Sequence, residues 1–173
     1  MVSKRLKTRV QHGGTLVLDA QGLSLHVEGD EGMRARIEVA ERNGSRVVHS
    51  AVTPLEVRRT GKAAERLAYL LSRFDKKPVT DDVVTTARKL LDTAGLDGHE
   101  CLVDALVVAT AALATPPVLL VTSDRSHVPA LCKAVETLPG SPAVKPILVQ
   151  PPHRQLAVAG SGRSSRKAVS RAV

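Results

Sequence analysis

Short apolar runs alternate with amphipathic stretches from Thr15 to Gln150. The run TLVLDA (15–20) is apolar at consecutive positions and ends in an acid, which predicts a strand buried on both faces. EGMRARIEVAERNGS (31–45) spaces Met33, Ile37 and Ala40 as one helical face, and Asn43-Gly44 closes the helix. RVVHS (46–50) predicts a second strand. TPLEVRRTG (53–61) reads as a helix with Thr53 as N-cap, Pro54 in the first turn and Gly61 as terminator. AAERLAYLLSRF (63–74) is a further amphipathic helix. PVTDDVVTTARKLLDTAG (78–95) opens with a strand-like pair, then a helix capped by Thr80 or Asp81 and ended by Gly95. GHECLVDALVVATAALA (98–114) is the most apolar helix and reads as central. PPVLLVTSD (116–124) is another buried strand ending in an acid, RSHVPALCKAV (125–135) a helix, and VKPILVQ (144–150) an edge strand that tolerates Pro146. The order β-α-α-β-α-α-β-α-α-β-α-β predicts an α/β fold around a mainly parallel sheet.

The 173 residues suit one domain, with an aliphatic core because Tyr69 and Phe74 are the only aromatics and Trp is absent. That composition excludes a recognition surface of stacked aromatic rings. The formal net charge of +8 belongs to the ends. Residues 1–10 carry four cations and residues 151–173 carry five, with no acids in either, while residues 11–150 hold all 17 acids against 16 cations. The expected organisation is a basic N-terminal extension (1–12), a folded domain (13–150) and a flexible, basic, Gly/Ser/Pro-rich C-terminal tail (151–173). Cys101 and Cys132 are far apart with no zinc-type spacing; buried, reduced thiols are the favoured reading. No run approaches the length of a spanning helix and no signal peptide is legible, so a cytoplasmic protein is expected.

Two acids, Asp19 and Asp124, close predicted strands at their carboxyl ends, where open parallel sheets bind ligands. Acids at strand ends also serve as caps. Asp19 fits that role less well, because Ala20 rather than a turn residue follows it. Asp104 is flanked by apolar residues at i−1 and from i+1 to i+4, and the polar stripe a solvated acid needs is missing from the second half of its helix. A site at the helix face is therefore favoured. Glu100 stands four residues before Asp104, on the same predicted face, and reads as a solvated residue or a support to the site. Glu56, early in its predicted helix, complements the helix dipole and is not distinctive alone. Clustered carboxylates without a His/Cys ligand set suit a hard divalent cation, Mg2+ or Mn2+, and phosphoryl chemistry. No glycine-rich phosphate loop, GxGxxG, HExxH or GxSxG occurs, and Gln21 stands where a haloacid-dehalogenase-type phosphatase needs a second Asp. The six histidines are scattered; His99 and His127 flank acidic motifs, with surface or core roles favoured.

TLVLDA, TPLEV, CLVDALVVATA and VLLVTSD, separated by 37, 48 and 20 residues from acid to acid, resemble in order and spacing the four acidic motifs of the PIN domain. They are most similar to those of VapC-like toxins of bacterial toxin–antitoxin pairs, of the Ala/Arg-rich actinobacterial type. The resemblance implies a three-layer α/β/α, PIN-like fold and a Mg2+-dependent endoribonuclease that hydrolyses RNA with a metal-activated water. It implies Asp19, Glu56, Asp104 and Asp124 as catalytic and metal-site acids, and Ser123 as an orienting hydroxyl. The family often carries a small hydroxyl residue shortly after its first acid; here Ala20-Gln21-Gly22 follows, which makes Gln21 a candidate substrate contact. The resemblance further implies a cognate antitoxin and a homodimer. Arg58, Arg59, Lys62 and Arg125 are candidates to line the approach of RNA. The alternative is a catalytically silent PIN-like scaffold that binds RNA or protein.

If RNA is the substrate, the basic ends add non-specific, salt-sensitive affinity. Removing residues 1–10 and 152–173 is expected to weaken RNA binding at low salt and leave the chemical step unchanged. Filter binding and single-turnover cleavage measure the two quantities separately; a slowed chemical step would place the function in the ends.

Overall fold

A computed structural model of the protein describes residues 13–150; the two basic ends lie outside the described residues. The chain runs β1 (Thr15–Leu18), α1 (Ala20–Glu28), α2 (Glu31–Arg42), β2 (Arg46–Ser50), α3 (Thr53–Glu56), α4 (Gly61–Arg73), β3 (Asp75–Lys77), α5 (Asp81–Ala94), α6 (Leu102–Ala112), β4 (Val118–Thr122), α7 (His127–Val135) and β5 (Val144–Leu148). The twelve elements follow the order expected from the hydrophobic pattern.

The five strands form one sheet in the order β3-β2-β1-β4-β5, and every pairing is parallel. Central β1 is buried at all four positions, which is why its sequence shows no polar alternation. Its odd positions face one layer and its even positions the other. Val17 joins Val48, Leu120 and the apolar faces of α5, α6 and α7 in one core. Leu16 and Leu18 join Val47, Val121, Leu23, Met33, Ile37 and Leu70 of α1, α2 and α4 in the second. The architecture is a three-layer α/β/α sandwich with two aliphatic cores.

The capping signals at α2 and α5 act as expected: Asn43 is the C-cap of α2 with Gly44 at φ +72°, Thr80 accepts the Val83 amide, and Gly95 ends α5 at φ +64°. At the other end of α2, Asp30 accepts the Met33 amide at 2.7 Å, an N-cap not expected from sequence. Four local expectations are corrected. The third strand is Asp75–Lys77, not the pair at 78–79. It is a short edge strand with charged residues, so it carries no apolar signature, and Pro78 ends it. The helix expected over 53–61 is a single turn, Thr53–Glu56, and Gly61 (φ +55°) opens α4 instead of closing α3. The central helix starts at Leu102, after a turn in which Asp97 accepts the His99 and Glu100 amides. A helix, α1, occupies Ala20–Glu28, where the pattern had assigned no separate range; its Leu23, Leu25 and Val27 are buried. Both cysteines are free and buried, and burial pushes the Cys132 thiol up to about 12.

Entry into β1 depends on a close backbone approach. The Thr15 amide donates to the Pro117 carbonyl at 2.8 Å, and the Gly14 carbonyl accepts from the Arg46 amide at 3.0 Å. A Cβ at Gly14 would overlap the Pro117 backbone. Gly14→Ala is therefore expected to lower the melting temperature by roughly 5 °C or more, because the clash is with backbone on a central strand. Thermal unfolding followed by circular dichroism checks this.

Candidate metal centre

The strand order reverses between β1 and β4, since the chain builds β2 and β3 to one side of β1 and β4 and β5 to the other. Open parallel sheets place ligands in the crevice at the carboxyl ends of such a pair. Asp19 follows β1 and Asp124 follows β4, so both acids flank that crevice. The ladder continues one step past β1, with the Asp19 amide donating to the Val121 carbonyl at 3.2 Å.

Asp19 is also the N-cap of α1: its Oδ1 accepts the Gly22 amide at 2.7 Å. This corrects the expectation that Asp19 fits poorly as a cap. The helix begins directly at Ala20, so no turn residue is needed. The carboxylate is thereby fixed at the mouth of the crevice, with one oxygen engaged. A Cβ at Gly22 would stand 3.1 Å from Val121 Cγ1 and 3.5 Å from Asp19 Oδ1, so the small residue lets α1 start against β4.

Asp124 is held by its own loop. Its Oδ1 accepts the Ser126 amide at 2.8 Å and the Val128 amide at 3.0 Å, and its own amide donates to Thr122 Oγ1 at 3.0 Å. Thr122, fully buried at the end of β4, makes this contact, while Ser123 forms no side-chain hydrogen bond among the described residues. Asp104 sits half-buried in the first turn of α6. His127, at the start of α7, brings its Nδ1 to 3.8 Å from Asp124 Oδ2. One ligand atom from each of Asp104, Asp124 and His127 lies within 4.8 Å of the others. Glu56 closes the one-turn helix α3 on the exposed rim.

The electrostatics tie these groups together. Burial holds the Asp19 carboxyl above the ordinary carboxylate range; the Gly22 amide, the Thr122 hydroxyl and the Gln21 amide pull it back, and the Asp104 charge adds to the rise. Partial burial, then the charges of Asp104 and Asp19, raise Glu56. Burial and the charge of Asp124 raise Asp104, against a smaller opposing effect of His127. Asp124 is also penalised by burial, but the amides of Val128, Ser126 and His127 and the His127 ring bring it below the ordinary range. Carboxylates that raise one another in this way are relieved by a cation. The donor set of hard oxygens and one imidazole suits a divalent metal, with the imidazole extending the choice from Mg2+ toward Mn2+.

The other candidates differ in their placement. Glu100 lies in the turn before α6 and is exposed, so it shares no helix face with Asp104. Gln21 is in the first turn of α1, and its Nε2 is buried without a partner. Arg59 pairs with Glu28 at 2.8 Å and donates to the Arg58 carbonyl at 2.9 Å, which commits its charge to joining α1 to the α3–α4 connection. Arg58, Lys62 and Arg125 are exposed. From sequence His127 is a candidate substrate contact flanking the last acidic motif, with a surface or core role favoured, and not a metal donor; its place three residues after Asp124, at the start of a helix, was the available signal for the latter. Ser50 and Thr53 are fully buried with unpartnered hydroxyls, a condition that costs about 1–3 kcal/mol for a group left unsatisfied.

No protein-family model matches the sequence, and no curated protein does. Solved structures do. The chain is similar to one in the crystal structure of VapBC2 from Rickettsia felis bound to a DNA fragment from their promoter, with TM-score 0.53 and 14% identity over 77% of this chain and 98% of that one. It is also similar to one in a toxin–antitoxin complex from Klebsiella pneumoniae, with TM-score 0.53 and 21% identity over 79% and 97%. At these identities the likeness concerns the fold: a parallel five-stranded sheet between helices, PIN-like as in these toxin–antitoxin chains. Among the described residues no helix is long and apolar enough to cross a membrane.

A raised carboxyl binds its proton more tightly in the folded than in the unfolded chain. Its contribution to stability is full below the unfolded value and is lost as pH rises through the folded one. Asp19, Glu56 and Asp104 act in this direction; Asp124 acts oppositely, adding stability above the ordinary range that is lost as pH falls through its lowered value. With chelator present, the melting temperature is expected to fall as pH rises from the ordinary carboxylate range toward neutrality. Asp104→Asn should remove part of that fall. Calorimetric scans across pH test both.

Proposed function

We propose that the protein is a Mg2+- or Mn2+-dependent endoribonuclease of the PIN type, acting as the toxin of a toxin–antitoxin pair. What supports this reading is the grouping of Asp104, Asp124 and His127 within ligand reach of one another, with Asp19 at the neighbouring strand end and the charges of Asp104 and Asp19 felt at Glu56. Four carboxylates so placed have no structural task that explains all of them. Asp19 alone is accounted for as a cap, and Asp124 alone as a loop former.

The residues fit a divalent ion. Asp19, Asp104 and Asp124 would hold it, with His127 beside Asp124 as a further donor. When bound, such an ion neutralises the carboxylates, activates water and offsets charge on a phosphodiester in the transition state. Glu56 stands on the exposed rim, its carboxyl raised by partial burial and by the charges of Asp104 and Asp19, and is the candidate base. It would accept the proton of the attacking water. Arg58, Lys62 and Arg125 are free to meet the phosphates of an incoming strand. The antitoxin as partner rests on the fold neighbours, both of which come from complexes of that kind. A homodimer and a cytoplasmic location follow from the same family reading.

Asp19→Asn provides the sharpest test, because Asn caps helices as well as Asp does and the variant keeps its fold. It is expected to lose Mg2+-dependent RNA cleavage by roughly a hundredfold or more, measured on total RNA by end sequencing and on a defined oligonucleotide by rate. Undiminished cleavage would remove Asp19 from the site. Absence of Mg2+ and Mn2+ binding by calorimetry would favour the silent scaffold instead.

A further inference from the structure

Parallel sheets are ordinarily covered by helices on both faces. Here α6 and α7 cover β4 and β5 from the side of the first core. On the other face α2 lies over β1 and β2, and α1 meets β4 only near its end, where Gly22 stands against Val121. Between α2 and β5 a cavity of about 640 Å3 remains. Leu16, Leu119 and Ile147 line it on the strands, and Ala35, Val39 and Ala40 on the helix. Leu119 and Ile147 are only half-buried, and Val39 is 54% exposed. None of Asp19, Glu56, Asp104, Asp124 or His127 lines this groove.

The charge around the groove has one sign. Arg36 is the charged residue of its lining; it is exposed and makes no ion pair among the described residues. Its guanidinium lies back over Gly32, where a Cβ would stand 3.1 Å from Nη1. Lys145 pairs with Leu119 in the β4–β5 register, so it rises from the same face of the sheet beside the groove. Aliphatic walls with cations at the rim and no acid in the lining complement a molecule that is apolar along its length and anionic at one end. The same charges disfavour the chain's own ends as occupants, since residues 1–10 carry four cations, residues 151–173 carry five, and neither has an acid. A second copy meeting the groove face to face would set Arg36 and Lys145 against the same cations of its mate.

We propose that this groove is a binding site for a small amphiphile with an unbranched aliphatic chain and a terminal carboxylate, the chain lying along Leu119 and Val39 and the head at Arg36. The cavity falls within the roughly 300–1,000 Å3 of small-molecule sites. Its lining has no aromatic ring, so a flexible chain rather than a flat ring finds its match there. The planar guanidinium suits a carboxylate, which it meets through two parallel hydrogen bonds. Binding removes the chain of the ligand and the exposed side chains of Val39, Leu119 and Ile147 from water together. The site is separate from the acidic crevice and does not depend on the function proposed for it.

The test uses the full chain and sodium decanoate below its micelle-forming concentration. Calorimetry is expected to show saturable binding, and the melting temperature should rise with decanoate concentration. Hexanoate, four methylenes shorter, should bind at least roughly tenfold more weakly. Decyltrimethylammonium, with the same chain and the opposite charge, should bind severalfold more weakly than decanoate. Arg36→Gln should lower decanoate affinity roughly fivefold and remove the preference over the cationic amphiphile. Ala35→Phe, which places a ring in the groove from an exposed helix position, should abolish binding and leave the ligand-free melting temperature unchanged. Absence of saturable decanoate binding, or undiminished binding by the Ala35→Phe variant, would overturn the proposal. So would binding that appears only after residues 1–12 or 151–173 are removed, or only as light scattering shows a dimer coming apart. The groove would then belong to an end of this chain or to a second copy.

Discussion

The reversal of strand order between β1 and β4 is the constraint on which the rest of the molecule depends. Parallel strands need crossovers, and crossovers on opposite sides of β1 leave a crevice above the β1–β4 seam that no connection covers. The first residues beyond these two strands are forced to line it. Asp19 is the first residue beyond β1 and Asp124 the second beyond β4, and both are fixed by backbone amides. The site is therefore built from the sheet outward: two acids from the seam, a third from the helix lying over it, and a fourth from the single turn after β2.

That arrangement is costly in the free protein and useful for the same reason. Asp19 and Asp104 are desolvated and feel neighbouring charge, so their ionised forms are disfavoured. Asp124 is the exception, because three amides and the His127 ring stabilise its charge. It is the carboxylate most ready to meet a cation. A cation bound there would lower the cost of ionising Asp104 and Asp19. The conflict among the acids would then favour occupancy, while the two aliphatic cores supply the stability that tolerates it.

The sequence carried the sheet and its acids well because both depend on burial. TLVL and VLLVT are buried on both faces, and nothing but a central parallel strand explains such runs followed by an acid. Asp104 stood out because its apolar neighbours exclude a solvated face. What escaped prediction depends on local geometry or on pairing. Asp75–Lys77 becomes a strand only because β2 offers an edge, and no apolar pattern announces it. The one-turn α3 and the opening role of Gly61 hinge on a backbone angle. Glu100 lost its place beside Asp104 because Asp97 ties up the preceding turn. His127 gains meaning only from its three-dimensional neighbour, through a loop that folds back on Asp124.

The distribution of charge acquires a sharper sense from this geometry. Within residues 11–150 acids slightly outnumber cations, and Asp19 and Asp124 stand at the carboxyl ends of the two central strands. A phosphodiester would be repelled from that region unless a cation intervened. Arg59 contributes little to the approach, being bound to Glu28. The cations that remain at the surface near these elements, Arg58 and Lys62 around the α3–α4 connection and Arg125 beside Asp124, sit on opposite sides of the crevice. A strand drawn between them would pass over the acids, with Glu56 on one bank and His127 on the other. On the proposed reading, discrimination among RNAs would belong to these two banks rather than to the carboxylates, whose chemistry is indifferent to the base.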